Sequence, residues 1–222
     1  MNDHSGHRKR IKAKFLKDGL CSFADHEVLE FLLFYSIPRV NTNVIAHRLI
    51  KRFGSLNGVL CADIEELSRV EGIGEHSATL IKLSAAIAGR YIMGQARKSG
   101  MFFDLPRIGD YLVGRFLGES DEKLYLLLFD SKGNLCEELC LFEGSVNSVG
   151  TPANLIINKA IKNNSVNVVL AHNHPGGSIR PSERDRDTTA RLRYLLEQSG
   201  IKLIEHFVIS GNLYCPIINE NI

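Results

Sequence analysis

The residues of this chain best suited to chemistry lie between Ala171 and Asp185. They read His172-Asn173-His174, seven residues, Ser182, two residues, Asp185. Where a strand ends, side chains two residues apart point to the same face, so His172 and His174 can project together from a sheet edge. Pro175-Gly176-Gly177 permits a sharp reversal. Pro181 then favours a helix start that would put Asp185 about one turn in, able to swing back toward the imidazoles. Two imidazoles and one carboxylate suit a zinc ion, with the fourth tetrahedral position left for water, the mark of a catalytic site. The chemistry expected is zinc-assisted hydrolysis, with one zinc per chain. A second reading shares the same residues: Ser182-x-x-Asp185 also has the form of a capping box, in which Asp185 only reaches back to the backbone. His-x-His alone is a weak signal, and the combination is far more restrictive.

Such a site needs a strand ending near residue 171 and a helix starting near 182. The sequence after residue 100 predicts both: a buried strand over Val166 to Ala171, and a helix opened by Ser182 and closed at Gly200, where glycine suits a left-handed cap. Around them the patterning predicts a helix through Ile108, Tyr111, Leu112, Arg115 and Phe116, and a helix from Pro152 to Asn163. It also predicts two hairpins, Leu124 to Phe129 with Leu135 to Phe142, and Ile201 to Ile209 with Leu213 to Ile217. Helices mixed with a mostly antiparallel sheet make this an α+β domain. The first hundred residues read as helices: Asp25 up to Pro38, Asn43 to Phe53, a short one after Ala62-Asp63, then a tight Gly72-Ile73-Gly74 turn and a long helix from Glu75 to Gln95. A small, polar joint at 95–100 divides the chain into residues 1–97 and 101–222.

The composition, 44% hydrophobic and 23% charged over 222 residues, is that of an ordinary soluble protein with enough apolar material for a core. Neither a signal peptide nor an apolar stretch of membrane-spanning length is visible, and a cytoplasmic location is expected. Cys21, Cys61, Cys136, Cys140 and Cys215 form no disulfide framework and read as small core or boundary residues. Net charge is +2, unevenly distributed: residues 1–100 hold 15 basic against 10 acidic side chains, the remainder 12 against 15. The most basic part carries Arg8, Lys9, Arg10, Lys12, Lys14 and Lys17, which fits either a nucleic-acid-facing front half or a solubilising tail.

The motif resembles the JAMM motif of zinc metalloproteases and deubiquitinase-like isopeptidases. The wider stretch resembles the bacterial RadC family, historically labelled DNA repair proteins, whose hallmark is His-Asn-His-Pro-Ser-Gly. The resemblance runs over nearly the whole chain and implies a JAMM-type α/β/α domain behind a helix-hairpin-helix domain. It implies His172, His174 and Asp185 as zinc ligands and a hydrogen bond from Ser182 to the reacting water or the developing oxyanion. It also implies a glutamate general base just before the first strand. Glu119, Asp121 and Glu122 all lie there, and only the resemblance selects Glu122, which directly precedes the apolar strand.

There are departures. The stretch reads His174-Pro175-Gly176-Gly177 without the hallmark's serine, Pro152-Ala153-Asn154 stands where the family has Pro-Arg-Glu, and Glu205-His206 replaces an Asp-His pair. The ligands are retained, while substrate contacts and ligand support are expected to differ. In the front half, Val70 to Ala78 resembles the turn of helix-hairpin-helix motifs, whose amides meet a DNA phosphate without reading bases. Glu71 and Glu75 flank it and would repel a phosphate. The implied substrate is a peptide or isopeptide bond in a protein, with weak, sequence-independent DNA binding by the helical half. The rival readings are a DNA-directed metal-dependent hydrolase or nuclease, and a non-catalytic DNA-associated module.

Overall fold

The apolar periods of the front half become helices packed around one core. A computed structural model of the chain describes residues 4–98, 104–143, 153–175 and 177–219. Helices α2 (Asp25–Leu33) and α3 (Thr42–Phe53) pack their Leu29, Leu33, Ile45 and Leu49 stripes together, closed by Val59, Leu67, Ile73 and Ile81. Helix α3 starts where the Asn41 side chain accepts the Asn43 amide at 3.1 Å. Two helices were not legible in the sequence. Helix α4 (Leu56–Cys61) is one short turn capped by Ser55, and α1 (His4–Asp18) forms from the basic stretch. Long-range contacts hold α1: Arg8 donates to the Phe34, Ile37 and Val40 carbonyls at 3.2, 2.6 and 2.9 Å and lies over the Phe34 ring, while Lys14 pairs with Glu27 at 2.9 Å. Between α5 (Ile64–Ser68) and α6 (Glu75–Lys98) the chain turns at Gly72, whose φ of +95° requires glycine and whose Cβ would meet Ile45 Cδ1 at 2.8 Å.

Later in the chain comes a five-stranded sheet in the order β2-β1-β3-β4-β5. The strands are β1 (Lys123–Phe129), β2 (Leu135–Glu143), β3 (Asn167–Asn173), β4 (Lys202–Ser210) and β5 (Leu213–Pro216). Only β3–β4 is parallel. Helix α9 (Glu183–Gln198) makes the crossover that a parallel pair demands. The central strand β3 is an almost unbroken apolar run because helices cover both faces. On one face, Tyr125, Leu127, Val169, Ala171 and Phe207 pack under α7 (Leu105–Phe116) and the end of α6. On the other, Leu124, Leu126, Val168 and Leu170 pack under α8 (Ala153–Lys162) and α9.

The chain thus divides into two units, residues 1–87 and 88–222, with the division inside α6. The change in composition at residues 95–100 comes later, and α6 runs unbroken to Lys98. The architecture is α+β, as expected. All five cysteines are free; Cys61 and Cys215 are boundary residues as expected, whereas Cys21, Cys136 and Cys140 are exposed. Among the described residues, no helix is long and apolar enough to cross a membrane.

In the second unit α6 and α7 touch through two glycines. A Cβ on Gly89 would stand 2.5 Å from the Gly114 carbonyl oxygen, and one on Gly114 would stand 2.9 Å from that of Gly89. Tyr111 and Arg115 on α7 then bond Glu138 on β2, and Arg115 also bonds the Tyr125 hydroxyl on β1, fixing α7 over the sheet. Gly89→Ala should therefore lower stability by about 1–3 kcal/mol, the usual cost of overpacking. Gly94→Ala, in the same helix with nothing within 4 Å of a new Cβ, should be neutral or stabilising by up to about 1 kcal/mol. Denaturant midpoints of the two full-length variants check this, and equal shifts would contradict the close-contact account.

Candidate metal centre

Along β3, Val168, Leu170 and His172 alternate onto the α8/α9 face, and the apolar run stops at His172, which is 5% exposed. His174 follows just past the strand, its amide still bonded to the Ile209 carbonyl at 2.8 Å. Its ring is set by the reversal that follows: Nδ1 lies 2.7 Å from the Ser178 carbonyl oxygen. A carbonyl only accepts, so Nδ1 carries the proton and Nε2 keeps its lone pair. The reversal is pinned by the Gly177 amide on the His174 carbonyl at 3.1 Å and the Ser210 hydroxyl on the Gly177 carbonyl at 2.9 Å. Gly176 lies outside the described residues.

Asp185 arrives from the start of α9, and the capping box is present there. Ser182 is the N-cap; its Oγ accepts the Asp185 amide at 3.2 Å, while Asp185 Oδ2 accepts the Ser182 amide at 2.7 Å and hydroxyl at 2.6 Å. The cap does not exclude a second role for the carboxylate, because Oδ1 faces His172 Nε2 at 3.4 Å. His174 Nε2 lies 3.7 Å from Asp185 Oδ2 and 3.0 Å from His172 Nε2. A tetrahedral zinc with bonds of about 2.0–2.2 Å spaces its ligand atoms by about 3.3–3.6 Å, so the three groups fit one cation. They are the one group of three or more potential ligand residues found among the described residues. Burial by itself would raise the Asp185 carboxyl, but the His172 ring and the Ser182 hydroxyl and amide outweigh it and hold the acid well below the usual carboxylate range. Asp185 is therefore ionised, as a ligand must be.

The three acidic residues before β1 have different surroundings. Glu119 is paired with Lys123 at 2.7 Å and with Arg115 at 3.8 Å. Asp121 is exposed, and its carbonyl accepts from Asn173 Nδ2 at 2.9 Å. The Lys123 amide donates to Asn173 Oδ1 at 2.7 Å. Half-buried Glu122 is thus the residue between two bonds to Asn173, which itself stands between His172 and His174. The β1–β3 register pairs Leu124 with His172; extended by two residues, it runs Glu122 across from His174.

Two residues take roles at this site that the sequence did not assign. His206 on β4 sets Nε2 2.9 Å from His172 Nδ1, and its own Nδ1 lies 2.6 Å from Thr189 Oγ1 on α9. Burial first, and then neighbouring His172, push the His206 imidazole well below its usual range, so it is neutral at pH 7. The available signal was His206 itself, which with Glu205 interrupts the apolar run of β4. Its neighbour Glu205 is wholly buried, accepting the amides of His206, Ile217 and Ile218 at Oε1 and the Asn219 amide and side chain at Oε2. That departure anchors the segment after β5. Another departure, Ala153-Asn154, opens α8, with Asn154 exposed.

Sequence comparison agrees with this architecture. Residues 105–221 match the model of the RadC-like JAB domain. A UPF0758 protein of Fusobacterium nucleatum is 34% identical, with 99% of this chain and 98% of the relative covered. One from Ruegeria pomeroyi is 32% identical over 93% and 92%, and one from Pseudoalteromonas translucida 27% identical over 91% of each. The matched segment begins with α7 and takes in the whole sheet and the His172–His174–Asp185 cluster, so this chain belongs to the RadC family and its second unit carries a JAMM-type, metal-dependent-hydrolase-like JAB domain.

Proposed function

We propose that this chain is a zinc-dependent hydrolase that cleaves a peptide or isopeptide amide. The observation that carries the reading is the convergence of the His172 and His174 Nε2 atoms with the Asp185 carboxylate. These three residues would hold the cation, and two imidazoles with a carboxylate form a zinc-type donor set. A zinc bound there supplies a Lewis acid and lowers the pKa of water to about 7. Glu122 would take the proton of the attacking water and return it to the leaving nitrogen. Ser182 would first hold Asp185 in place; its hydroxyl points at that carboxylate, and it can serve a developing oxyanion only by turning away. The one candidate cation position among the described residues favours an amide over a phosphodiester, whose hydrolysis commonly uses two metals about 3.5–4 Å apart.

Unit 1 would contribute weak, sequence-independent binding of duplex DNA. Lys9, Arg10, Lys12 and Lys17 are exposed along α1, whereas Arg8 and Lys14 are committed to contacts within the unit. The turn after Gly72 leaves Gly74, Glu75 and His76 exposed, and Arg48 pairs with Glu71 at 3.1 Å, offsetting one of the two flanking acids. Association with DNA would link the hydrolase to repair.

Three measurements test these readings. Purified protein should contain about one zinc per chain, as one set of three converging ligands implies, and the His172→Ala, His174→Ala double variant should lose it. Equal zinc in both would remove the assignment. Glu122→Gln should keep the zinc yet slow amide turnover roughly 10²–10⁴-fold, while Glu119→Gln and Asp121→Asn stay near wild type. An essential Glu119 or Asp121 beside a dispensable Glu122 would move the base. Duplex binding by the full chain should weaken with salt, with a log–log slope of about −0.9 per phosphate neutralised. It should drop further when Lys9, Arg10, Lys12 and Lys17 are replaced by alanine, and salt-insensitive or undetectable binding at low salt would make unit 1 a packing module.

A further inference from the structure

A histidine can ligate through Nε2 only if its proton sits on Nδ1, and a buried ring needs a partner to keep it there. For His174 that partner is the Ser178 carbonyl. His172 Nδ1 meets no carbonyl among the described residues. It faces another imidazole, His206, which can either accept or donate. What decides between the two polarities lies one residue further on.

Thr189 Oγ1 stands 2.6 Å from the Asp185 carbonyl oxygen and 2.6 Å from His206 Nδ1. A hydroxyl has one proton. If it were given to His206, two oxygens bearing only lone pairs would face each other at 2.6 Å across the Asp185–Thr189 turn. The favourable arrangement gives the Thr189 proton to the carbonyl, so that His206 Nδ1–H donates to Thr189. His206 Nε2 then accepts, His172 Nδ1 must donate to it, and His172 Nε2, beside Asp185 and His174, is the nitrogen left to a cation. All three groups are almost fully enclosed, at 5%, 4% and 3% exposure for His172, His206 and Thr189, so water has little room to reverse the order. The relay also closes on itself: it starts at the main chain of Asp185 and ends at the ring beside that residue's carboxylate, tying two candidate ligands on different elements to one another.

We infer that His206, oriented by Thr189, is a positioning residue for the metal centre: it fixes His172 as the Nδ1–H tautomer and aims the Nε2 lone pair at the cation. The inference rests on the metal reading of the His172–His174–Asp185 cluster. Its test therefore has one readout that needs no metal, the tautomer of His172 in long-range ¹H–¹⁵N spectra of the metal-free full chain, and one that does, zinc affinity by competition with a chromophoric chelator. Wild type should show His172 protonated at Nδ1. His206→Leu removes the acceptor and should shift His172 toward the Nε2–H form and weaken zinc about 10–100-fold, the usual cost of losing a ligand's hydrogen-bond partner. His206→Gln, whose amide oxygen can reach the same place, should restore most of both. Thr189→Val, nearly isosteric, should weaken zinc several-fold, with Thr189→Ser close to wild type; this pair decides if His206→Leu does not fold. If His172→Ala abolishes zinc binding while His206→Leu and Thr189→Val bind like wild type with an unchanged His172 tautomer, the inference is overturned and the metal reading stands. If wild type binds no zinc, the metal reading falls, and an Nε2–H tautomer of His172 in wild type overturns the relay independently.

Discussion

A strand hydrogen-bonded on both edges and covered on both faces cannot slip, because a shift of one residue would send every side chain to the opposite face. β3 is such a strand, antiparallel to β1 and parallel to β4, and the site depends on where its apolar run ends. Val168 and Leu170 fill the face beneath α8 and α9, and the next position on that face is His172. The same registers bring Leu124 across from His172 on one side and His206 next to Leu170 on the other. Polar groups buried at this end must be satisfied, at about 1–3 kcal/mol for each one left unpaired, and each is answered from a neighbouring element. Asn173 ties down the segment before β1, while His206 and Thr189 answer His172.

Asp185 shows how stability and chemistry share one residue. A carboxylate has two oxygens, and the start of α9 uses Oδ2 for the cap. The cap orients the group, leaving Oδ1 toward His172, so the interaction that begins the helix also aims the candidate ligand. The convergence of two imidazole nitrogens 3.0 Å apart beside a carboxylate is not what apolar packing alone selects. Departures of this kind from the best local arrangement are characteristic of sites kept for function.

The two units treat charge differently. In unit 1 two of the basic residues near the N-terminus act as struts. Arg8 satisfies carbonyls at and beyond the end of α2, and Lys14 pairs with Glu27, so a stretch with little helical amphipathicity docks as α1. In unit 2 a buried acid is satisfied by amides: Glu205 collects five N–H donors, four of them main-chain amides, and in doing so binds the residues after β5 to β4.

By itself the sequence determined the α+β layout, most element boundaries, and the identity of His172, His174 and Asp185 as groups that could meet. These features are local: apolar periods of 3.6 and 2, turn residues, and a spacing that one strand end and one helix start can satisfy. It left Ser182-x-x-Asp185 divided between cap and ligand, and only the three-dimensional arrangement showed that the cap uses Oδ2 while Oδ1 faces His172. It left α1 unread because Arg8 finds its carbonyls 26 to 32 residues away. It distinguished Glu122 from Glu119 and Asp121 only by resemblance, whereas the folded chain commits Glu119 to Lys123 and sets Glu122 between two bonds to Asn173. His206 passed as one more residue of β4, because the contacts that give it a part to play come from β3 and α9. Partners remote in the chain leave no periodic trace, so only the tertiary structure could decide which buried polar groups face one another.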